Sequence, residues 1–461
     1  MEGVVIMGSE RKVAIIGLDC ATPQLVFDQF RGDLPNISQL MAEGAWGPLK
    51  STHPPITVPA WACMMSGYDP GQLGIYGFRN RKDHSYDGYA IANSQSLRHD
   101  RVWDSLSRAG RRVILLGVPQ TYPVRPVNGC VVADFLTPST RSEYTYPRDL
   151  KSEIERVAGG YVLDVEDFRT DDKAALLERI YDKTRKHFAV AKHLLTTKEW
   201  DFFMMVEMGV DRIHHGFWSF MDPTHRAYQK GNPFEHAIRD YYRYIDGEVG
   251  EILDLLPPDA VVLVVSDHGA KRLDGGICFN EWLIQQGYLT VKRYPDTPTP
   301  VEKVQIDWAR TKAWGDGGYY GRLFLNVKGR EPNGLVDPAE YEQVRTELIE
   351  KIAAIQDPQG NPLGSRAYRP QELYREVQGV APDLLVYFGD LFWRSVGSIG
   401  SRSIYTFDND TGPDGANHDW QGIFLLNRNG CREANLAPGP TRGLTVYDIA
   451  PLVLRLFDRE A

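Results

Sequence analysis

The sequence predicts an α/β fold with a central, mostly parallel sheet flanked by helices. Three observations carry this. Short apolar runs without polar alternation recur along the chain, amphipathic helical stretches lie between them, and acidic residues stand directly behind several of the runs. Continuous apolar runs suit strands buried on both faces, as in a parallel sheet. Alternation of such strands with helices is the pattern of α/β proteins. With 461 residues, 42% of them hydrophobic, the chain can form one large domain with insertions.

The strand candidates in chain order are VAIIGL (13–18), VILLGV (113–118), FFMMV (202–206), VVLVV (261–265), LLVYF (384–388) and IFLL (423–426). The helix candidates lie between them. PNISQLMAEG (35–44) places Ile37, Leu40 and Met41 on one face and ends in a glycine stop. RVWDSLSRAG (101–110) has the same plan, and residues 173–195 read as a long amphipathic helix. VPAWACMMSG reads as a helix with Pro59 in its first turn. Residues 137–172 are polar and irregular. Residues 294–371 are rich in Pro, Gly and charge around one strand-like stretch, RLFLNVKG. Both segments read as insertions that cap the ligand edge of the sheet. The expected division is therefore a catalytic core of residues 1–293 and 372–461, with the small insertion at 137–172, and a cap of residues 294–371.

Composition narrows the function. A net charge of −9 argues against a nucleic-acid or anionic-membrane binder, which needs clustered cations. It leaves room for an anionic substrate, because bound metal ions dominate their local field. The five cysteines are scattered and form no C-x-x-C motif, which points to a reducing compartment. The N-terminus does not read as a signal peptide, and no apolar stretch reaches membrane-span length. The expected location is the cytoplasm.

The chemistry lies in the polar residues behind the strands. Asp19 follows VAIIGL, Asp211 comes soon after FFMMV, and Asp267 and His268 follow VVLVVS. Ligands of open parallel sheets bind outside the carboxyl ends of the strands, so three strands deliver acids to one edge. Cations would relieve their repulsion. His215 lies four residues after Asp211, on the same helical face, and His418 precedes another strand. The neighbouring His214 is an alternative ligand that the i, i+4 spacing disfavours. Asp and His suit zinc and similar ions. There are more ligands than one ion needs, which fits a pair of ions of the kind that clamps phosphoryl transfer. Thr57 stands at a helix N-terminus, where free N–H groups and the dipole favour a phosphate and a metal can activate the hydroxyl. Ser51 and Thr52 lie farther from that helix start.

These segments together resemble the alkaline phosphatase superfamily, in particular the type I phosphodiesterase/nucleotide pyrophosphatase branch and its bacterial phosphohydrolase or phosphomutase relatives. The resemblance runs from GLDCATPQL through LPNISQLMAEGAWGPLKSTHPPITVPAWACMMSG, GVDRIHHGFW and VVSDHG to GANHDWQGIF, with NVKGREPNG between the last two. It implies an alkaline-phosphatase-like core and two divalent ions, zinc or alternatively manganese. It assigns Asp211, His215 and His418 to one ion, and Asp19, Thr57, Asp267 and His268 to the other. It further implies that Thr57 attacks phosphorus and that water then releases the phospho-enzyme. The sulfatase signature is not met, since Trp61 stands where that pattern has an arginine. Asn80, flanked by Arg79 and Arg81, is the expected contact to a non-bridging phosphate oxygen. This favours a small-molecule phosphodiester or nucleotide pyrophosphate as substrate. A phosphomonoester, or a phosphomutase or phosphotransferase reaction, is the alternative. His53 and the remaining histidines read as packing or surface residues, Cys63 as buried and inert. Trp308, Trp314, Tyr319 and Tyr320 suit either stacking on a flat group or packing.

Overall fold

The computed structural model describes residues 11–458. Its main sheet has nine strands: β1 (Val13–Leu18), β2 (Ala45–Lys50), β3 (Val113–Leu116), β4 (Gly129–Val132), β5 (Thr145–Tyr146), β6 (Phe202–Glu207), β7 (Val261–Val265), β8 (Gln421–Leu426) and β9 (Gly439–Pro440). They lie in the order β9-β2-β8-β7-β1-β6-β3-β4-β5. The stretch β7-β1-β6-β3-β4 is parallel throughout. β8 runs antiparallel to both β7 and β2, and β5 antiparallel to β4.

The unbroken apolar runs have a direct structural reason. Successive side chains of a strand point to opposite faces, and here both faces are covered. Ala14, Ile16 and Leu18 of β1 and Phe203 and Met205 of β6 join one core. That core is completed by the helices α1 (Pro35–Glu43), α4 (Lys173–Thr197), α5 (Gly209–Met221) and α6 (Ala237–Leu255), through Met41, Phe188, Phe217 and Tyr242. Val13, Ile15, Phe202 and Met204 enter the opposite core, with Met64 of α2 (Thr57–Ser66), Trp103 of α3 (Val102–Arg108) and Leu456 of α7 (Ile449–Asp458). Each Val, Leu, Ile, Phe or Met side chain among them contributes about 1.5–3 kcal/mol on burial.

A third core belongs to a separate layer. The antiparallel strands Ala313–Asp316, Gly321–Leu325, Leu384–Tyr387 and Arg366–Tyr368 form a four-stranded sheet. It packs with the helices Phe279–Gln285 and Tyr341–Ala353, and its core includes both Ile277 and Ile399. This core thus begins before residue 294 and continues past residue 371.

Three sequence expectations change in the structure. The run 384–388 is a strand, but of this antiparallel sheet rather than the main one, and the run 423–426 lies in the main sheet antiparallel to its neighbours. A continuous apolar run reports burial on two faces, not strand direction or sheet membership. Residues 137–172 are in part core: β5 extends the main sheet, and Tyr144, Leu150 and Ile154 enter the first core. Gly44 does end α1 as expected, in extended backbone (φ −119°). Its hydrogen matters for close approach, since a Cβ there would stand 2.0 Å from the Leu426 carbonyl oxygen.

Candidate active site

The carboxyl ends of β1, β6 and β7 meet at one point. Asp19 directly follows β1, and its N–H donates to the Glu207 carbonyl at the end of β6 (3.1 Å). Cys20 takes a left-handed conformation (φ 67°), and its N–H donates to Asp267 Oδ1 (3.2 Å). The turn after β1 is thereby tied to the turn after β7. Asp211 and His215 lie on the first turns of α5, and His418 comes from the strand Ala416–Asp419, which pairs with Gly269–Arg272 behind the Asp-His pair. Asp19, Thr57, Asp211, His215, Asp267, His268 and His418 are all buried.

The ring nitrogens are arranged alike in all three histidines. His268 Nδ1 bonds the Gly269 carbonyl (3.0 Å), His418 Nδ1 the Pro55 carbonyl (2.8 Å), and His215 Nδ1 the Asp414 carboxylate (2.8 Å). An Nδ1 donating to oxygen leaves Nε2 as a lone-pair donor, the arrangement found in metal-ligating histidines. The three Nε2 atoms turn inward. Those of His215 and His418 are 3.4 Å apart, and Asp211 Oδ1 is 3.2 Å from the first and 3.6 Å from the second. His268 Nε2 lies 3.2 Å from Asp267 Oδ2, 3.8 Å from Asp19 Oδ1 and 3.2 Å from Thr57 Oγ1.

Asp19 Oδ1, Asp211 Oδ1 and Asp267 Oδ2 are buried without any hydrogen-bond partner. Three orphaned carboxylate oxygens facing inward lone pairs fit divalent cations, since a buried acceptor without a donor is otherwise costly. Two ligand sets converge: Asp211, His215 and His418, and Asp19, Asp211 and His268. Asp211 therefore stands in both, where the sequence places it with only the first.

Charge follows the same geometry. Burial, and then the neighbouring Asp211, hold Asp19 well above the usual carboxylate range; burial and Asp19 do the same for Asp267. Asp211 is held well below that range, because His215 and Arg212 outweigh the effect of burial. Burial pushes His268 down to about 4, and burial together with His268 pushes His418 well below its ordinary value. His215 goes the other way, held well above its ordinary value because Asp414, Tyr319 and Asp211 outweigh burial. Neutral His268 and His418 and crowded carboxylates are what a cation needs and what a metal-free interior strains against.

Thr57 opens α2, whose first turn carries Pro59. Trp61, one turn along, donates its indole N–H to Asp19 Oδ2 (2.7 Å), so the residue that departs from the sulfatase pattern orients a candidate ligand. His214 points elsewhere, to the Tyr242 hydroxyl (3.1 Å). His53 sits among Tyr368, Tyr387 and Trp420, and Thr52 bonds the Pro54 carbonyl. Cys63 is buried and unpaired, with a raised pKa from burial. Asn80 closes its own turn, accepting from Tyr76 N–H (2.7 Å) and donating to the Gly77 carbonyl (2.9 Å). None of its hydrogen bonds reaches Thr57 or the ligand sets. Arg81 pairs with the buried Glu331 of the cap (3.4 Å).

Of the four cap aromatics, Tyr319 alone stacks on the ligand histidines, 3.9 Å from the His418 ring and 5.1 Å from that of His215. Trp308 stacks on Tyr86, Trp314 is core, and Tyr320 bonds the Tyr76 carbonyl. Asp414, Arg169 and Arg212 were not singled out from sequence. Asp414 holds His215 and accepts from Arg169 Nε (2.9 Å). Arg212 bonds Asp211 and chelates Asp164 (3.0 and 2.7 Å). The only available cue was that Asp414 lies close before His418 in GPDGANH.

Among the described residues, no helix is long and apolar enough to cross a membrane. A search of curated proteins returns no match. The fold is shared with many solved structures, three of which follow. Phosphonoacetate hydrolase from Sinorhizobium meliloti 1021, in complex with phosphonoformate, superposes with a TM-score of 0.63 at 17% identity, covering 97% of this chain and 96% of that one. Human ectonucleotide pyrophosphatase/phosphodiesterase 5 gives 0.53 at 12% identity, with 97% and 95% coverage. An inactive form of the murine counterpart, in complex with AMP, gives 0.51 at 13% identity over the same shares. The family model "Type I phosphodiesterase / nucleotide pyrophosphatase" matches residues 13–415, nearly the whole chain. With a mostly parallel sheet that gathers these acids and histidines at one edge, the chain belongs to the type I phosphodiesterase/nucleotide pyrophosphatase family of the alkaline phosphatase superfamily and is a phosphoric ester hydrolase.

Proposed function

We propose that this protein hydrolyses a phosphodiester or nucleotide pyrophosphate bond through a phospho-enzyme on Thr57. Two divalent ions, zinc with manganese as the alternative, would be held by Asp211, His215 and His418 and by Asp19, Asp267, His268 and Thr57. The observation that carries the reading is the position of Thr57 Oγ1, at the start of α2 and 3.2 Å from His268 Nε2, beside three unpartnered carboxylate oxygens. When bound, the ions would lower the pKa of the Thr57 hydroxyl and offset charge on the transferring phosphoryl group.

The chain's own residues do the rest. The Thr57 and Val58 N–H groups at the start of α2 have no partner within the helix and suit a phosphoryl oxygen. Thr57 Oγ1 forms a bond to phosphorus as the ester oxygen leaves with a proton. Attack by water then breaks the Thr57–phosphorus bond and restores the hydroxyl. Asp414 and the Gly269 and Pro55 carbonyls keep the three imidazoles in the ligand tautomer. The five buried, unpaired cysteines support a reducing location, the cytoplasm.

The engagement of Asn80 in its own turn favours a phosphomonoesterase as the second reading, because it weakens the case for an amide that reads a diester. One comparison separates the two. With metal-replete protein, kcat/KM for bis(4-nitrophenyl) phosphate or a nucleoside 5′-(4-nitrophenyl) phosphate is expected to exceed that for 4-nitrophenyl phosphate. The reverse order replaces the diesterase reading with the monoesterase one, and no turnover of any ester rejects both.

A further inference from the structure

Arg394 lies on the strand Trp393–Val396, paired with Gly275–Cys278. Its side chain is 6% exposed, and its Nε and Nη1 are buried without a hydrogen-bond partner. The nearest acid is Asp414, with Nη1 to Oδ2 at 3.7 Å, too long for a hydrogen bond. Asp414 is already occupied by His215 Nδ1 (2.8 Å), Arg169 Nε (2.9 Å) and the Ala416 N–H (3.2 Å). The exposed Asp410 lies within electrostatic reach. Arg212, nearer the ligand set, is chelated by Asp164, and Arg81, whose Nε is also unpartnered, bonds Glu331 and the Ser85 carbonyl through its other nitrogens; Arg394 has no such bond. A buried guanidinium without hydrogen bonds is unfavourable for folding, and residues kept against stability cluster where a ligand uses them.

Its location names the ligand's place. The Arg394 guanidinium lies 5.6 Å from the centre of the Tyr319 ring, and that ring stacks on His418 and His215. Arg169, on the same flank, bonds the Tyr319 hydroxyl. The Tyr319 loop is held close: a Cβ on Gly317 would stand 2.5 Å from the Gly397 nitrogen. Two guanidinium groups thus flank the ring that covers the ligand histidines, in a chain whose net charge is −9. A planar guanidinium fork with free donors matches a carboxylate or phosphate.

We propose that Arg394 is the determinant of an anion subsite on the Tyr319 flank of the ligand histidines, binding a second, non-reacting carboxylate or phosphate of the substrate. That this anion is part of a substrate rests on the phosphohydrolase reading; the subsite itself does not.

Calorimetric titration of the metal-loaded protein tests it without turnover. The probes are propylphosphonate, 3-phosphonopropionate and 1,3-propylenebisphosphonate, which share one phosphonate and differ only at the far end. The wild type is expected to bind at least one of the two bifunctional probes at least tenfold more tightly than propylphosphonate, and the tighter of the two identifies carboxylate or phosphate as the preferred anion. In Arg394→Met the ratio should fall to within twofold, with Arg394→Lys between. Unliganded Arg394→Met should melt no lower than the wild type, because a buried charge without a hydrogen bond is removed. A wild type that does not discriminate, or a ratio that survives in Arg394→Met, overturns the proposal. If Arg394→Met does not fold, the side chain is structural unless Arg394→Lys folds and loses at least threefold of the ratio. Tight binding of a bifunctional probe without turnover of any ester sinks the hydrolase reading and leaves the subsite standing.

Discussion

At the scale of single residues, the site depends on two side chains of opposite kinds. Thr57 carries the proposed bond-forming oxygen. Replacing it with alanine removes a hydroxyl and a methyl group from a buried position at the start of α2. Thr57→Ala is expected to lower kcat by several orders of magnitude with an unchanged circular dichroism spectrum, while Thr57→Ser keeps part of the rate. Wild-type turnover in Thr57→Ala would mean that another nucleophile, or water directly, attacks phosphorus. Asp414 acts at one remove. Its Oδ1 accepts from His215 Nδ1 at 2.8 Å, and Arg169 steadies its other oxygen. Such partners fix ligand orientation and basicity, and their loss costs about 10–100-fold in metal affinity. Asp414→Asn should weaken metal binding by that order in a chelator competition; equal affinity would show that His215 is oriented by its packing alone.

At the scale of elements, α4 and β6 are joined by a buried ion pair. Lys183 Nζ lies 2.9 Å from both oxygens of Glu207, and Glu207 Oε1 also accepts from Thr184 and from the Gly209 N–H at the start of α5. The pair sets where β6 ends and α5 begins, which sets Asp211. Lys183→Met leaves the carboxylate buried without its cation, so it is expected to cost about 3–5 kcal/mol in urea unfolding. Adding Glu207→Gln should recover part of that loss, and a double mutant no better than the single would remove the pair from this role. Elements also show what sequence alone discloses. The strands before Asp19, Asp211 and Asp267 were legible because two-sided burial leaves an unbroken apolar run, and parallel order turns acids far apart in sequence into neighbours at one edge. The i, i+4 step from Asp211 to His215 was legible because helix geometry is local. Asp414, Arg169 and Arg394 were not: the first two lie in irregular segments and the third on a short strand outside the main sheet, joined through contacts such as Arg169 with Asp414 that span 245 positions. The run LLVYF told of burial but not of the sheet it joins.

At the scale of the whole molecule, the site opposes the fold that holds it until cations are bound. Asp19 and Asp267 have raised folded-state pKa values, from burial and then from a neighbouring carboxylate. At these two carboxyls the folded chain therefore binds more protons than the unfolded one above the ordinary carboxylate pKa of about 4. The contribution of these two groups to stability is full below that value and is lost as pH rises. His215, raised by Asp414, Tyr319 and Asp211, acts in the same direction, while two histidines that burial depresses act in the opposite one. His268 and His53 are each held at about 4 by burial, so their contribution is full above about 6.5 and is lost as pH falls toward 4. Without metal, the chain is thus squeezed from both sides. Cations reverse the first effect, because they bind the deprotonated carboxylates and neutral imidazoles of the folded state alone. The melting temperature with saturating zinc or manganese should exceed that in chelator, and the difference should widen from pH 5 to pH 8 as protons stop competing for the ligands. In Asp267→Asn the difference should shrink at every pH. A gap that is absent, or that stays constant across this range, would show that the buried acids and histidines are not a cation site, and the phosphoryl-transfer reading built on them would fall with it.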